Sequence, residues 1–370
     1  MPADRTYHIR PVLDGQTLAA GLRGLVAQLS WADARRLILN RQVQVNGNLV
    51  LDDTRRLKAG DVVKVFEHPK APVPTERDVR VVHVDTDLIV VDKPAGITTL
   101  RHAEERDWDD RRKQRQPTLD EAVQLILPSV WPPRPTMPRQ AGGGGGGGAN
   151  RSRDADRDRA GPPGILRRTG GRPTPPSPGV GLPRVRAVHR LDRDTSGLML
   201  FALSPRAEQA LVELFKEHAI RRSYRAVVHW ALTAERTIES WLVRDRGDGL
   251  RGTAPGGKDA EGAQHAVTHV RPVEPVAGGR YTLVECRLQT GRTHQIRIHL
   301  AEAGHMLCGE KTYVRPRPAE PAVRDDSGAP RQALHSAEVE FTHPFTNEVL
   351  RFASPMAKDL SQWRGRLRGS

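Results

Sequence analysis

Cysteine is nearly missing from this 370-residue chain, which has two, Cys286 and Cys308. Their number and spacing exclude a disulfide framework and a structural zinc site. Cys286, inside the apolar run Tyr281-Thr-Leu-Val-Glu-Cys-Arg-Leu, reads as a core residue. No apolar run approaches the ~18 residues of a membrane span, and the start, Met-Pro-Ala-Asp-Arg-Thr, lacks the pattern of a secretory leader. The expectation is a soluble, cytoplasmic protein. Negative charge is in deficit: 58 Lys and Arg face 44 Asp and Glu, a net charge of +14. That balance points to a polyanionic partner, nucleic acid first, with an Arg-rich low-complexity tract adding to the total. There is no His-Glu-x-x-His pair, and no Gly-x-Ser-x-Gly elbow with a triad order. The run Gly142–Gly148 lacks the Lys-Ser/Thr and the strand-to-helix setting of a phosphate loop.

The length suggests two domains with additional linker. Residues 1–14 read as a tail and residues 15–67 as a small module. Leu18, Leu22, Leu25, Val26 and Leu29 recur at helical spacing, and Ser30 is placed to cap a second helix over Trp31 to Leu39. Val43 to Val50 reads as a hairpin turning at Asn46-Gly47, and Asp61 to Phe66 as a closing strand. Pro69, Pro72 and Pro74 mark a linker over 68–78. A larger domain spans 79–362, opening with strands over Arg80 to Val84 and Leu88 to Val91 and a helix over Thr118 to Leu127. Its remainder is dominated by alternating strands, with helices over Ala207 to His218 and from Gln295. The expected class is α+β, built on a mixed, largely antiparallel sheet. Residues 128–181 are rich in Gly, Pro and Arg, cannot form a core and read as a disordered insertion. Residues 363–370 read as a frayed basic tail.

Residues 188–201, Val-His-Arg-Leu-Asp-Arg-Asp-Thr-Ser-Gly-Leu-Met-Leu-Phe, place a polar loop ahead of an apolar strand. A carboxylate flanked by guanidinium groups at the mouth of a buried strand is held ionised, which suits a nucleophile or a base. For a generic stretch of this composition, a surface loop with internal ion pairs is the simpler reading.

The string resembles the catalytic motif His-Arg-Leu-Asp-x-x-Thr-Ser-Gly of the RluA-type pseudouridine synthases, and every fixed position is met by His189 to Asp192 and Thr195 to Gly197. Further segments resemble the family's pattern in its order. They are Lys93-Pro-Ala-Gly96, Tyr224-Arg-Ala226, Thr290 to His299, Gly309 to Tyr313 and Arg331 to His335. The resemblance covers roughly residues 80–362 apart from the insertion. The first module, with its Arg35-Arg36 helix, Val-x-Val-Asn-Gly hairpin and Lys58-Ala-Gly-Asp61, resembles the small αL-type RNA-binding domain of ribosomal proteins and RNA-modifying enzymes.

These resemblances imply an isomerase that turns uridine into pseudouridine in RNA, with no redox change and no leaving product, and hence no metal or redox cofactor. They imply RNA as the partner, ribosomal RNA of the large subunit ahead of transfer RNA, and a monomer. Asp192 is implied as the essential carboxylate, with its local rival Asp194 read as a surface group. Arg297 is implied as its ion-pair partner, ahead of Arg292, which is read as a phosphate contact. Tyr224 is implied under the target uracil; without the resemblance it reads as a core-facing strand residue. Arg190 is implied to fill the stack that a flipped base vacates, with an ion pair to Asp192 as its plainer role. RNA contacts are assigned to His189, Lys93, Arg292 and His294, and on the first module to Arg35, Arg36, Arg41 and Lys58. Lys93 has a second reading as a group that orders a loop. His299, His305, His335 and His343 are expected to hydrogen-bond structure or RNA backbone. A non-catalytic RNA-binding protein of ribosome assembly is the alternative.

Overall fold

The computed structural model describes residues 5–46, 48–67, 72–101, 105–131 and 181–367. The chain divides into two compact units. One comprises 1–73 with 107–116, and the other 74–106 with 117–370.

The first unit is a four-stranded antiparallel sheet with helices. Its elements are β1 (Arg5–His8), α1 (Leu18–Leu25), α2 (Trp31–Leu39), β2 (Val43–Val45), β3 (Asn48–Leu49), β4 (Val62–Val65) and, from the returning segment, α3 (Asp110–Arg115). The sheet order is β1-β4-β2-β3. Ser30 caps α2 by accepting from the Asp33 amide at 3.0 Å, as its position ahead of the apolar run predicts. The alternating Val43, Val45, Val63 and Val65 bury against Leu18, Leu22, Leu37 and Ile38. Residues 1–14 are not a free tail over their described part. β1 pairs with β4, the Ile9 amide donates to Asp61 O at 2.8 Å, and Ile9 is buried. Ile9, with Tyr7 and Leu13 packed on the same core, and the open edge of β4 tie the segment down.

The second unit carries β5 (Arg80–Val84), β6 (Leu88–Lys93), α4 (Leu119–Val130), β7 (Arg186–Ala187), β8 (Ser196–Ala202), α5 (Pro205–Lys216), β9 (Arg221–His229), β10 (Arg236–Val243), β11 (Gly252–Thr253), β12 (Gln264–Val276), β13 (Tyr281–Leu288), α6 (Gln295–Glu302), β14 (Leu334–Thr342), β15 (Val349–Ala353) and α7 (Lys358–Leu367). Among the described residues its strands form one sheet in the order β11-β10-β12-β13-β9-β14-β8-β6-β5, with β15 beside β14 and β7 beside β8. All pairings are antiparallel except β14 with β8. This is the mixed, largely antiparallel α+β sheet expected.

β8 shows why its sequence is apolar throughout. Met199 and Phe201 join the core formed with α4 and α6, while Leu198 and Leu200 join the core formed with α5 on the other face. A strand covered on both sides loses the period-2 alternation. The parallel contact of β8 with β14 is close at Gly197, whose φ is +111°. A Cβ there would collide with the Ser336 backbone, so only glycine fits.

Two boundaries differ from expectation. The insertion expected over 128–181, including Gly142–Gly148, lies outside the described residues except at 128–131 and 181. At its start α4 runs on through Pro128 to Val130, because Val130 and Trp131 pack on the core. At the C-terminus α7 replaces a frayed tail over residues up to 367. Trp363 is buried against Tyr281 and Leu283, and its Nε1 donates to Ser327 O at 2.9 Å. No helix among the described residues is long and apolar enough to cross a membrane.

Candidate active site

The loop from Val188 to Thr195 joins β7 to β8 and is held from several sides. Lys93, at the end of β6, donates to the carbonyls of Pro94, Arg193 and Thr195 at 3.1, 2.9 and 2.8 Å. The Gly96 amide donates to Arg193 O at 2.8 Å. Thr99 Oγ1 donates to Leu191 O at 2.9 Å and accepts from the Leu191 amide at 3.1 Å. From the other side, Arg331 Nη1 donates to Asp194 O at 2.8 Å and Nη2 to Ser196 Oγ at 2.9 Å, while Gln332 Nε2 donates to Thr195 Oγ1 at 2.9 Å. The Lys93-Pro-Ala-Gly96 and Arg331 to His335 segments therefore serve to hold one loop. The RNA contact assigned to Lys93 is corrected here. The residue is 1% exposed and its ammonium is spent on three carbonyls, which is the loop-ordering role. Burial pulls its pKa down to about 7.

Held in this way, Asp192 lies half-buried at a cleft of about 470 Å³, within the range of small-molecule sites. Arg297 enters from α6. Its Nη1 donates to Asp192 Oδ2 at 3.4 Å, and its Nε and Nη2 donate to Glu310 at 2.8 and 2.7 Å. The tighter partner of Arg297 is thus Glu310, which the sequence reading left without a role. Glu310 Oε1 also accepts from the Lys311 and Thr312 amides at 2.9 and 2.8 Å. Burial opposes the Glu310 charge, but the Arg297 hydrogen bonds outweigh it and hold the carboxyl below its ordinary pKa. Arg297 is likewise held above its ordinary value, burial being outweighed by Glu310 first and Asp192 after it.

His294 comes within reach from the start of α6, in a left-handed conformation with φ +60°. Its Nε2 lies 3.7 Å from Asp192 Oδ1, and its Nδ1 shares a 2.6 Å hydrogen bond with Tyr313 Oη. Burial pushes the His294 pKa down against the pull of Asp192. Tyr224, 5% exposed on β9, lines the same cleft, and burial raises its pKa. Arg190, Arg292 and His189 line it as well. Arg190 is exposed, with no ion pair to Asp192 within 4.0 Å. Arg292 is exposed and donates from Nε to His265 O at 2.9 Å. His189 is half-buried. Burial and Arg222 drive its pKa down to about 3, and its Nε2 accepts from the Leu200 amide at 3.0 Å, so it offers RNA no charge. Asp194 is exposed and outside the cleft lining.

On the first unit, Arg35 pairs with Asp53 at 3.1 Å and Arg36 with Asp33 at 2.6 Å, their side chains still 62% and 71% exposed. Lys58 is exposed and Arg41 half-buried. Of the remaining histidines, His299 hydrogen-bonds Thr268 and Ser240, His305 the His229 carbonyl, and His335 Ser196. His343, with Asp85 and Asp87, forms a group of metal-ligand type. Its Nδ1, however, accepts from the Phe345 and Thr346 amides at 3.2 and 3.1 Å. Nδ1 is thereby occupied, and Nε2 lies 3.5 Å from Asp85 Oδ2.

Residues 167–302 match the family described as RNA pseudouridylate synthase. Over 182 residues the chain is 40% identical to the ribosomal large subunit pseudouridine synthase D of Neisseria meningitidis serogroup A, a match covering 48% of this chain and 47% of that protein. It is 36% identical over 180 residues to the protein of the same name from Zymomonas mobilis, covering 49% and 55%. The chain thus spans about half the length of the curated relatives it matches. Among solved structures, human RNA Pseudouridylate Synthase Domain Containing 4 shares the fold, with a TM-score of 0.52 at 16% identity over 78% of this chain and 93% of that one. The matched segment carries Asp192, Tyr224 and Arg297, so the part of the chain that builds this side of the cleft is similar to RNA pseudouridylate synthases.

Proposed function

We propose that this chain isomerises uridine to pseudouridine in structured RNA, and that its substrate is large-subunit ribosomal RNA. The observation that carries the reading is the meeting of Asp192, Arg297 and Tyr224 at one cleft. The reaction breaks the bond from ribose C1′ to N1 of the base, turns the base, and forms a bond from C1′ to C5. The hydrogen on C5 is lost to solvent and N1 gains a proton, so the atoms balance without a redox partner. Attack by a carboxylate on the sugar, attack on the base, and removal of a sugar proton all need a carboxylate oriented towards the reacting nucleotide, and Arg297 Nη1, fixed beside Asp192, supplies that orientation. Tyr224 offers a ring for the uracil and a phenol near C5. Base flipping costs a few kcal/mol, and the exposed Arg190 at the rim is suited to fill the space left in the stack.

The ribosomal substrate rests on the names of the relatives, and on an N-terminal unit read as an RNA-binding module that docks long structured RNA. The protein is read as a cytoplasmic monomer. Tritium release from RNA labelled at uridine C5 tests the reaction, since only a synthase displaces that hydrogen. Release with large-subunit RNA is the expected result. Release with transfer RNA alone would move the substrate, and binding without any release would leave a non-catalytic RNA-binding protein. Mapping pseudouridines in a deletion strain then identifies the uridine.

A further inference from the structure

Arg222 is a cation in the cleft that no carboxylate among the described residues neutralises. It precedes Tyr224 by two positions on β9, so strand alternation puts both side chains on the face that looks into the cleft, and both line it. Arg222 is 9% exposed. Its Nε is buried with no hydrogen-bond partner, and among the described residues no carboxylate pairs with the guanidinium. The other buried arginines of this unit are all paired: Arg246 with Asp248 and Glu302, Arg297 with Glu310, and Arg331 with Asp359. A buried charge without a partner is strongly unfavourable, and the Phe215 ring beneath the guanidinium, 5.2 Å away, is no substitute for an anion. Space is also kept for it. A Cβ at Gly291 would stand 2.8 Å from Arg222 Nη1. Lys216 and Arg190 line the same cleft and add positive charge around it.

We propose that Arg222 anchors a backbone phosphate of the RNA, the one flanking the nucleotide whose base enters the cleft. A guanidinium takes two oxygens of a phosphodiester side by side, and two positions along β9 is the separation expected between a base-contacting Tyr224 and a group that holds the adjoining backbone. The inference rests on the reading of this cleft as an RNA site.

The test is equilibrium binding of a fluorescent uridine oligonucleotide at several KCl concentrations, to the full chain and to Arg222→Met and Arg222→Lys. Arg222→Met is expected to weaken binding roughly tenfold or more at low salt. It should also flatten the plot of log K against log salt by about 0.7, the contribution of one single-strand phosphate contact. Arg222→Lys, which keeps the charge, should restore the slope. The Met variant should melt no lower than wild type, because an unpaired buried charge has been removed. Should it fail to fold, Gly291→Ala, which sets a methyl against Nη1, is expected to weaken the same binding. Inorganic phosphate separates the sources: thermal stabilisation of wild type by phosphate, with oligonucleotide binding unaltered in Arg222→Met, would mark a free-anion site and overturn the proposal. Unchanged affinity and slope in Arg222→Met would overturn it as well. These measurements need no turnover, so a wild-type chain that releases no tritium would count against the catalytic reading alone.

Discussion

Arg297 commits Nε and Nη2 to Glu310 and leaves Nη1 facing Asp192 at 3.4 Å. The Asp192 carboxylate therefore meets a cation whose position is set from behind. Glu310 is 2% exposed and Arg297 7%. Removing one partner of such a pair leaves a buried charge uncompensated, at about 3–5 kcal/mol. Glu310→Gln keeps the shape and loses the charge. The expected outcome is a lower denaturation midpoint, together with a fall in kcat that exceeds any rise in KM. A folded variant with wild-type kcat would mean that Arg297 needs no help to face Asp192.

Asp192→Asn is expected to abolish tritium release while largely preserving RNA affinity. The amide would keep the volume of the side chain on the fixed loop but could neither form a covalent bond nor accept a proton. Binding by gel shift beside turnover on the same preparation separates the two effects, and turnover near wild type would remove Asp192 from the chemistry.

Glu285 supplies a pH dependence. It is 2% exposed and accepts from Arg225 at 3.0 Å, Arg287 at 2.6 Å, Ser223 at 3.1 Å and also Arg271. Burial works against its charge, yet the arginines hold the pKa down to about 2, below the ordinary 4.5. A carboxyl depressed on folding contributes stability that is complete above its unfolded pKa and is lost as pH falls towards the folded one. The loss should therefore fall between about pH 4.5 and 2. Urea melts at pH 6, 4 and 3 should show Glu285→Gln less stable than wild type at pH 6, with the gap closing on acidification. A gap that stays constant would show that the arginines do not depend on this charge.

How much of this is legible in the sequence depends on the range of each interaction. The α2 cap at Ser30 and the strand Tyr281–Leu288 follow from neighbours in the chain, and their bounds match expectation. Short apolar segments that need a distant partner are not legible. β1 forms because the edge of β4 is open, and α7 because Trp363 finds Tyr281. At the site, Asp192, Arg297 and Tyr224 come together as their motif segments suggest. For Lys93 the sequence leaves an RNA contact and a loop-ordering role both open, because a lysine is by default a surface group and nothing local says that three carbonyls converge on it. Glu310 sits inside a motif segment with no sign that Arg297 would be its partner. Arg222 does carry a signal: strand alternation in Arg222-Ser-Tyr224 puts it on the same face as the tyrosine.

The N-terminal unit is expected to supply affinity and not chemistry. Residues 107–116 belong to the same unit as 1–73, so substitution is a cleaner probe than truncation. Arg35 and Arg36 pair with Asp53 and Asp33, but both guanidinium groups are largely exposed. Exposed pairs of this kind contribute about 0–1 kcal/mol, so exchanging a carboxylate for an RNA phosphate is nearly free. Contacts to phosphate position RNA without reading sequence. Replacing Arg35, Arg36 and Lys58 together by Gln should weaken binding of long structured RNA and flatten its salt dependence by up to about 2.7, roughly 0.9 for each duplex phosphate no longer neutralised. Turnover on a saturating short RNA should stay at the wild-type rate, and the melting temperature should change little. If affinity and slope for long RNA are unchanged, this face of the unit meets a protein, and the ribosomal substrate would then have to be recognised through the cleft and the partner together.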